Sequence, residues 1–150
     1  MDALDRKILA ALQANARASL QEIGQAVGLS SSPCWERIRK LEAAGVIEGY
    51  TVRLNAQALG LADTVLVQLT LDSHTDNTLE KFGETLAAIP EVIEAYLVSG
   101  EYDYLLRVAV KDTRDYERLL REKLYKIKGI RHSKSSFVLR TLKKADLPLL

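Results

Sequence analysis

The stretch LQEIGQAVGLSSSPCWERIRKLEAAG, Leu20–Gly45, decides the fold of the first part of the chain. It has the pattern of two short helices that meet at a tight turn. Ser19 precedes the first helix and Glu22 follows three residues later, which is the S-x-x-E capping box. Gly28 ends this helix, because a left-handed residue costs glycine little. The apolar face of the helix, at the i, i+3, i+7 spacing, consists of Leu20, Ile23 and Val27.

The second helix of the pair begins after Ser30, a favourable N-cap residue, and stops at Gly45. Its inward face consists of Cys34, Ile38 and Leu41. Small Gly24 and the turn that follows it let the two helices cross closely. This is the helix-turn-helix pattern, in which the second helix enters the major groove of DNA with its N-terminal residues at the base edges.

The composition is that of an ordinary globular protein. The 150 residues are 47% apolar and 27% charged, with a net charge of +1. Any affinity for DNA must therefore come from a local patch rather than from a basic domain. The single cysteine excludes a disulfide within the chain and a zinc site built from cysteines. The sequence has neither a signal-peptide pattern nor an apolar run of about 20 residues, so we expect a cytoplasmic protein without a membrane segment.

Residues 1–54 are predicted to form a winged helix-turn-helix DNA-binding domain, with the helix-turn-helix at about 20–44. Apolar residues share one face of a first helix over about 2–15, which completes a three-helix core. The segment VIEGYTVRLN, residues 46–55, has the pattern of two short strands with Gly49 at the bend. This is the position of a wing.

The apolar period changes after a predicted linker at residues 55–63. From Thr64 the apolar residues alternate, as in a half-buried strand. Residues 64–150 then predict a second domain of order β-α-β-β-α-β, the ferredoxin-like arrangement, so the fold class is α+β. The six predicted elements cover residues 64–71, 77–89, 92–99, 102–110, 114–128 and 130–141.

The outer face of the second helix is the candidate DNA-binding surface. Trp35 on the solvent side is hard to explain by packing within so small a domain, and exposed large apolar groups usually mark a contact. Serine and arginine can donate to bases or phosphates, and Glu36 can accept from cytosine N4. The candidates are Ser31, Ser32, Trp35, Glu36 and Arg39, with Arg37 at the flank.

Two of these candidates have an alternative role. Trp35 can instead pack on the wing or on a partner chain. Arg37 can instead pair with an acid such as Glu22.

The stretch VSGEYDYLL, Val98–Leu106, is the second candidate site. Its four-residue connection with Gly100 exposes backbone N–H groups that can hold a carboxylate, and Asp103 can pair with an ammonium. Together they suit a free amino acid; the alternative is a tight hairpin in which Asp103 only caps the turn. On the last strand, the hydroxyls of Ser133 and Ser135 either line a small polar pocket or form an exposed edge.

Enzyme signatures are missing from the sequence. His74 and His132 have no partner at metal-ligand spacing, and Cys34 lies on the inward face of its helix. Phosphate-binding and nucleophile motifs are absent as well. The third predicted strand has aromatic residues only at its entry, which excludes an RNA-recognition module. We expect no catalytic residue, no metal and no cofactor. The alternative is that the protein is a small enzyme that uses Asp103 in a cleft.

Four ordered motifs resemble the Lrp/AsnC ("feast/famine") transcriptional regulators of bacteria and archaea. They are LDRKIL, LSSSPCWERIRKLEAAGVIEGY, VSGEYDYLLRV and KSSFVLRTLKK. The resemblance covers the chain from about Leu4 to Leu149. It implies an N-terminal winged helix-turn-helix, a linker strand and a C-terminal βαββαβ (ACT-like) domain, residues 64–150, that senses amino acids and mediates oligomerisation.

The same resemblance implies an assembly and an effector site. The sheets of two subunits pair to form a homodimer, and dimers assemble into tetramers or octamers. The effector binds at the subunit interface near the hairpin. Carried over by position, the effector-binding residues are Ser99, Gly100, Glu101, Tyr102, Asp103, Ser133 and Ser135.

The expected function is that of a sequence-specific regulator that binds double-stranded DNA. Its assembly or DNA affinity would respond to a small effector, an amino acid by resemblance. The alternative is a small-molecule sensor or allosteric subunit whose helix-turn-helix docks a protein rather than DNA. The modest net charge favours that alternative.

Overall fold

The computed structural model describes residues 1–73, 75–144 and 147–148. The chain divides into two compact units. The first is Met1–Arg53 together with Lys143–Leu150, and the second is Leu54–Leu142. Each unit has an apolar core of its own, as separate domains do.

Three helices form the first unit: α1 (Ala3–Ala14), α2 (Leu20–Val27) and α3 (Ser31–Ala43). They confirm the three helices predicted from the sequence. The predicted capping box is also present. The Ser19 amide donates to Glu22 Oε2 over 2.7 Å, and the Glu22 amide donates to Ser19 Oγ over 3.2 Å. Both amides at the start of α2 are thereby satisfied.

Two glycines shape the turn between α2 and α3. Gly28 ends α2 with φ 78° and ψ 33°, the left-handed conformation that the sequence predicts. A Cβ on Gly24 would lie 2.5 Å from the carbonyl oxygen of Leu29, closer than Cβ atoms approach a backbone oxygen. The Leu29 amide donates to the Gly24 carbonyl over 2.8 Å, which holds the two segments together. Only a residue without a side chain fits at position 24.

The helices enclose a small apolar core. Cys34 is completely buried, and burial raises the pKa of its thiol, so it is a neutral core residue as predicted. The buried residues on α2 and α3 include Ile23, Val27, Cys34, Ile38 and Leu41. The predicted face of α3 therefore points inward, and its opposite face points to solvent.

The predicted wing is wrong. Residues 46–54, all of which the structure describes, contain no strand. The amides of Val46 and Ile47 donate to the Leu41 carbonyl at the end of α3, and Ile47 packs against the helical core. Gly49 does not adopt the positive φ that a two-residue hairpin turn needs, so the chain does not fold back into paired strands.

A four-stranded antiparallel sheet with two helices forms the second unit. Its strands are β1 (Asp63–Leu71), β2 (Val92–Leu97), β3 (Tyr104–Val110) and β4 (Ile130–Phe137). Its helices are α4 (Asp76–Ala87) and α5 (Thr113–Glu122). The spatial order is β2-β3-β1-β4, because each helical connection passes one strand. The predicted ferredoxin-like arrangement is confirmed.

The helix predicted over 114–128 is shorter in the structure. It ends at Glu122, and Lys123 leaves the helical region with φ −120°. A short 3₁₀ turn, Leu124–Lys126, follows. The break keeps Leu124 fully buried in the core while the Lys123 ammonium donates to the Glu91 carboxylate over 2.6 Å.

The strand predicted over 130–141 is also shorter. It ends at Phe137, which pairs with Val65 near the start of β1. The last backbone bond at this end runs from the Val138 amide to the Thr64 carbonyl over 2.9 Å. Because β1 begins at Asp63, residues 139–141 of the predicted strand have no partner on β1.

Both helices pack on one face of the sheet. Phe82 of α4 and Tyr116 of α5 belong to the same buried cluster as alternate residues of β1 and β3. We call the other face the open face, since no helix of the unit packs on it. By strand register it carries Leu66, Gln68, Glu94, Tyr96, Leu105, Arg107, Lys134 and Ser136.

Gly83, in the middle of α4, is a glycine that the fold does not require. An added Cβ would lie 3.6 Å from the Tyr104 hydroxyl, which is an ordinary contact. Because alanine favours a helix interior over glycine, we expect Gly83→Ala to raise the free energy of unfolding of the second unit by about 0.5–1 kcal/mol. Urea denaturation followed by circular dichroism measures this change, and a loss of stability would contradict it.

Candidate nucleic-acid interface and effector hairpin

The candidate DNA-binding side chains lie together on the exposed face of α3. Ser31, Ser32, Glu36 and Arg39 are exposed, and 47% of the Trp35 surface is accessible. The Arg39 guanidinium carbon lies 5.1 Å from the centroid of the Trp35 ring, a cation–π contact. This contact places the planar Arg39 guanidinium over the aromatic ring on the outer surface of the helix.

The start of α3 adds backbone donors to this face. The N-cap residue Ser30 makes no side-chain hydrogen bond to the helix. The amides of the first turn carry the positive end of the helix dipole, and such amides bind phosphate oxygens. The first turn of α3 therefore combines the hydroxyls of Ser31 and Ser32 with backbone groups suited to an anion.

Arg37 lies at the flank of this surface and is engaged by α1. Its Nη1 donates to Asp2 Oδ2 and to Asp5 Oδ1, each over 2.7 Å. Pairing with an acid is the alternative role that the sequence allowed, but the acids are on α1 and not at Glu22. The sequence carried a signal for them, because Asp2 and Asp5 have the spacing of a capping box and form one around the start of α1.

The Asp2–Asp5–Arg37 cluster predicts an acid-sensitive first unit. The pKa of each carboxyl is held below its usual 3.8 by a backbone amide of the capping box and then by Arg37. The stabilisation that this cluster contributes is complete above pH 3.8, the usual pKa of the two carboxyls. It is lost as the pH falls through the lower pKa values that the carboxyls have in the folded chain. We expect the fluorescence of Trp35, the one tryptophan of the chain, to show destabilisation below about pH 4. Replacing both acids by asparagine should flatten this pH dependence; an unchanged profile would contradict the prediction.

Both strands of the hairpin are shorter at this end than predicted, since β2 ends at Leu97 and β3 begins at Tyr104. The Val98 amide donates to the Asp103 carbonyl, so that four residues, 99–102, lie inside the closed connection. Gly100 has φ 135°, a conformation open to glycine. Ser99, Gly100 and Glu101 are exposed and Tyr102 is half-buried. An exposed loop with this glycine can present backbone amides to a small anion.

Asp103 ties this connection to the end of β1. Its Oδ2 accepts from the Leu71 amide over 2.7 Å, and its own amide donates to the Leu69 carbonyl over 2.9 Å. The Val98 amide donates to the Asp103 carbonyl over 2.9 Å, which closes the loop. The turn-capping alternative for Asp103 is thus present in the structure. The same bonds hold the carboxylate in one orientation beside the exposed loop.

The two serines of β4 have different surroundings. Ser133 pairs with Leu69, the residue whose carbonyl accepts from Asp103, so Ser133 and Asp103 flank the same point of β1. Ser135 pairs with Val67, and its hydroxyl shares a hydrogen bond with the Tyr116 hydroxyl. The sequence gave no sign of this bond, which joins residues 19 apart on α5 and β4.

Among the described residues, no cluster of three His, Cys, Asp or Glu side chains could hold a metal ion. Within the same residues, no helix has the length and apolar character needed to cross a membrane.

Comparison with known proteins matches both units to one family. Residues 64–148 match the Lrp/AsnC ligand binding domain, and residues 1–42 match the AsnC-type helix-turn-helix domain. The leucine-responsive regulatory proteins of Klebsiella pneumoniae and Escherichia coli strain K12 are each 38% identical over 146 residues. Those residues are 97% of this chain and 89% of the relative.

Solved structures agree with this assignment. An AsnC family transcriptional regulator from Agrobacterium tumefaciens is 39% identical and superposes with a TM-score of 0.94, over 99% of this chain and 97% of that one. A transcriptional regulator from Neisseria meningitidis, solved as a complex with L-Met, is 32% identical with a TM-score of 0.93 over the same shares. The chain belongs to the Lrp/AsnC family of transcriptional regulators, with a helix-turn-helix DNA-binding domain.

Proposed function

We propose that the chain is a sequence-specific DNA-binding regulator, acting in the cytoplasm, whose DNA affinity or assembly responds to an amino acid. Residues 1–54 bind DNA, residues 55–63 link, and residues 64–150 sense the effector and assemble. The observation that carries this proposal is the exposed face of α3, where the Arg39 guanidinium stacks on Trp35 beside two serines. The DNA contacts come from Ser31, Ser32, Trp35, Glu36 and Arg39.

Self-association is the second part of the proposal. The open face of the sheet carries the apolar Leu66 and Tyr96, which are 36% and 49% exposed. Arg107 of β3 and Glu94 of the outer strand β2 form a bidentate ion pair on the same face, with Nε donating to Oε2 over 2.9 Å. A homodimer that buries this face, and tetramers or octamers built from it, would cover the apolar groups. A two-fold dimer sets its recognition helices about 34 Å, or a multiple of it, apart, so the DNA site is roughly palindromic.

The effector proposal rests on the hairpin at residues 98–103. The exposed Gly100 loop offers amides for a carboxylate, and the oriented Asp103 carboxylate offers a partner for an ammonium. The two groups together match the ends of an amino acid. The L-Met complex of the Neisseria relative agrees with this ligand class. The site takes in Ser99, Glu101, Tyr102 and Ser133, with Ser135 next to it on β4.

One experiment tests DNA binding and sensing together. Fluorescence anisotropy on the DNA upstream of its own coding region is measured beside light-scattering mass, with each of the twenty amino acids. We expect binding at moderate salt, with log K falling by about 0.9 per log salt for each phosphate neutralised, and one amino acid that changes affinity or mass. Binding that no amino acid affects would remove the sensing proposal. The alternative, a protein-docking helix-turn-helix, predicts no DNA binding at any moderate salt.

Asp103→Asn tests the effector site. Asparagine keeps an acceptor for the Leu71 amide but removes the charge. Because a hydrogen bond to a charged group contributes about 1.5–3 kcal/mol, we expect amino-acid affinity to fall about tenfold or more in calorimetric titration. The control is Asp112→Asn, which makes the same change at the N-cap of α5, beyond the other end of β3. If the two variants bind the amino acid equally well, Asp103 does not belong to the effector site. The alternative of a small enzyme that uses Asp103 would be refuted by the same result.

A further inference from the structure

Arg37 is oriented differently from the other candidate arginine of α3. At about 100° per residue, Arg37 and Arg39 project about 160° apart around the helix axis. Arg39 lies on the exposed face with Trp35, whereas Arg37 lies beside the buried face that includes Ile38. When the exposed face of α3 occupies a groove of DNA, Arg37 points away from the base edges.

The partners of Arg37 are already fixed. The Asp2 amide donates to Asp5 Oδ2 over 2.8 Å, and the Asp5 amide donates to Asp2 Oδ1 over 2.9 Å. The remaining oxygens, Asp2 Oδ2 and Asp5 Oδ1, both accept from Arg37 Nη1. The side chain of Asp5 is 15% exposed and that of Arg37 30%, so water competes only partly for this charge-assisted bond, whereas Asp2 is 54% exposed and its bond is more open to solvent. Arg37 therefore fastens the middle of α3 to the first turn of α1.

We propose that Arg37 is a positioning residue for DNA recognition rather than a DNA contact. By fixing α3 on α1, it sets the angle at which Ser32 and Arg39 meet base edges. Base-edge hydrogen bonds need side chains held within about 0.5 Å of their productive geometry, whereas phosphate contacts tolerate more. This inference rests on the proposed DNA-binding function. It also predicts that Asp2 and Asp5 strengthen recognition by holding Arg37, although their negative charges, taken alone, would repel DNA and weaken binding.

Three variants of the full chain test the proposal: Arg37→Met, the pair Asp2→Asn with Asp5→Asn, and the combination of all three changes. Asparagine caps helices about as well as aspartate, so the start of α1 is preserved. Fluorescence anisotropy measures Kd at several salt concentrations on the chain's own upstream DNA and on a random duplex of the same length. Circular dichroism gives the melting temperature of each variant.

We expect each variant to bind the upstream DNA about tenfold more weakly and the random duplex within about twofold of the unaltered protein. The combined variant should be no weaker than Arg37→Met, because all three changes break the same link. The slope of log K against log salt should stay the same. Loss of discrimination in the acid-neutralised pair is the decisive result, since electrostatics alone predicts tighter binding there.

A phosphate contact by Arg37 would give a different pattern and overturn the proposal. Arg37→Met would then weaken binding to both duplexes equally and reduce the salt slope by about 0.9, and the acid pair would bind as well as before or better. Lys40→Met, an exposed charge loss on the same helix, is the matched control for that pattern. Weaker binding to both duplexes with a large fall in melting temperature would show a merely structural role. An unaltered protein that binds neither duplex would refute the proposed function itself.

Discussion

Gly24→Ala is expected to lower the free energy of unfolding of the first unit by about 2–3 kcal/mol, a large fraction of what so small a domain has. The new methyl carbon would lie 2.5 Å from the Leu29 carbonyl oxygen. That atom belongs to the backbone of the turn, so it cannot move aside as a flexible side chain does. The Leu29 amide would lose its 2.8 Å bond to the Gly24 carbonyl when the segments separate.

Urea denaturation followed by Trp35 fluorescence measures this effect, since Trp35 lies in the first unit. Gly83→Ala is the matched control, because the same substitution in α4 adds a methyl group with no contact under 3.6 Å. Trp35 fluorescence should report the loss of stability in Gly24→Ala and stay close to the parent in Gly83→Ala, whose gain belongs to the second unit and is measured by circular dichroism. A Gly24→Ala protein within about 0.5 kcal/mol of the parent would show that the helices of the turn can separate freely, and would refute the close crossing.

The second large effect is expected on DNA binding. Trp35→Ala combined with Arg39→Ala removes the stacked pair at the centre of the exposed face of α3. We expect affinity for the upstream DNA to fall about a hundredfold or more, which is about 2.7 kcal/mol or more. Both side chains project into solvent and leave the core around Cys34 untouched. Light-scattering mass and melting temperature should therefore stay close to those of the unaltered protein.

Arg121→Ala is the control for this double variant. Arg121 is an exposed arginine on α5, in the second unit, where it pairs with Glu117 over 2.7 Å. The Arg121→Ala substitution removes one positive charge, as Arg39→Ala does, but from the second unit. Its effect on DNA affinity should therefore be small. Unchanged DNA binding in the Trp35 and Arg39 double variant would show that this face of α3 does not make the DNA contacts, and would overturn that part of the proposal.

The helix-turn-helix could be predicted because its signals are local. The capping box at Ser19, the left-handed Gly28 and the inward Cys34 each depend on neighbours within one or two helical turns. The strands of the second unit, and the order of its strands and helices along the chain, are likewise predicted by apolar patterns that repeat over a few residues. Pattern rules of this kind identify elements well and their ends less well, as the early break at Lys123 shows.

The remaining features depend on distant partners. Arg37 donates to carboxylates 32 and 35 residues away, and the hydroxyl of Tyr116 on α5 shares a hydrogen bond with that of Ser135 on β4. No local pattern specifies such pairs. The prediction of a wing was wrong for a related reason. Residues 46–55 have the composition of strands, but a strand also needs a partner, and the described residues of the first unit contain no strand. The bond from the Leu71 amide to Asp103 Oδ2 likewise joins residues 32 apart.

The two outer strands of the sheet are unequal in how they resist uncontrolled strand addition. An unpaired edge is a template for aggregation, and charged side chains on it are a protection. β4 carries Arg131 and Lys134, whereas Glu94 is the one charged residue in the sequence of β2. Ile93 and Leu97 of β2 are 48% and 59% exposed. Of the two outer strands, β2 is therefore the one less protected against the addition of a further strand, and its single carboxylate is already engaged by Arg107.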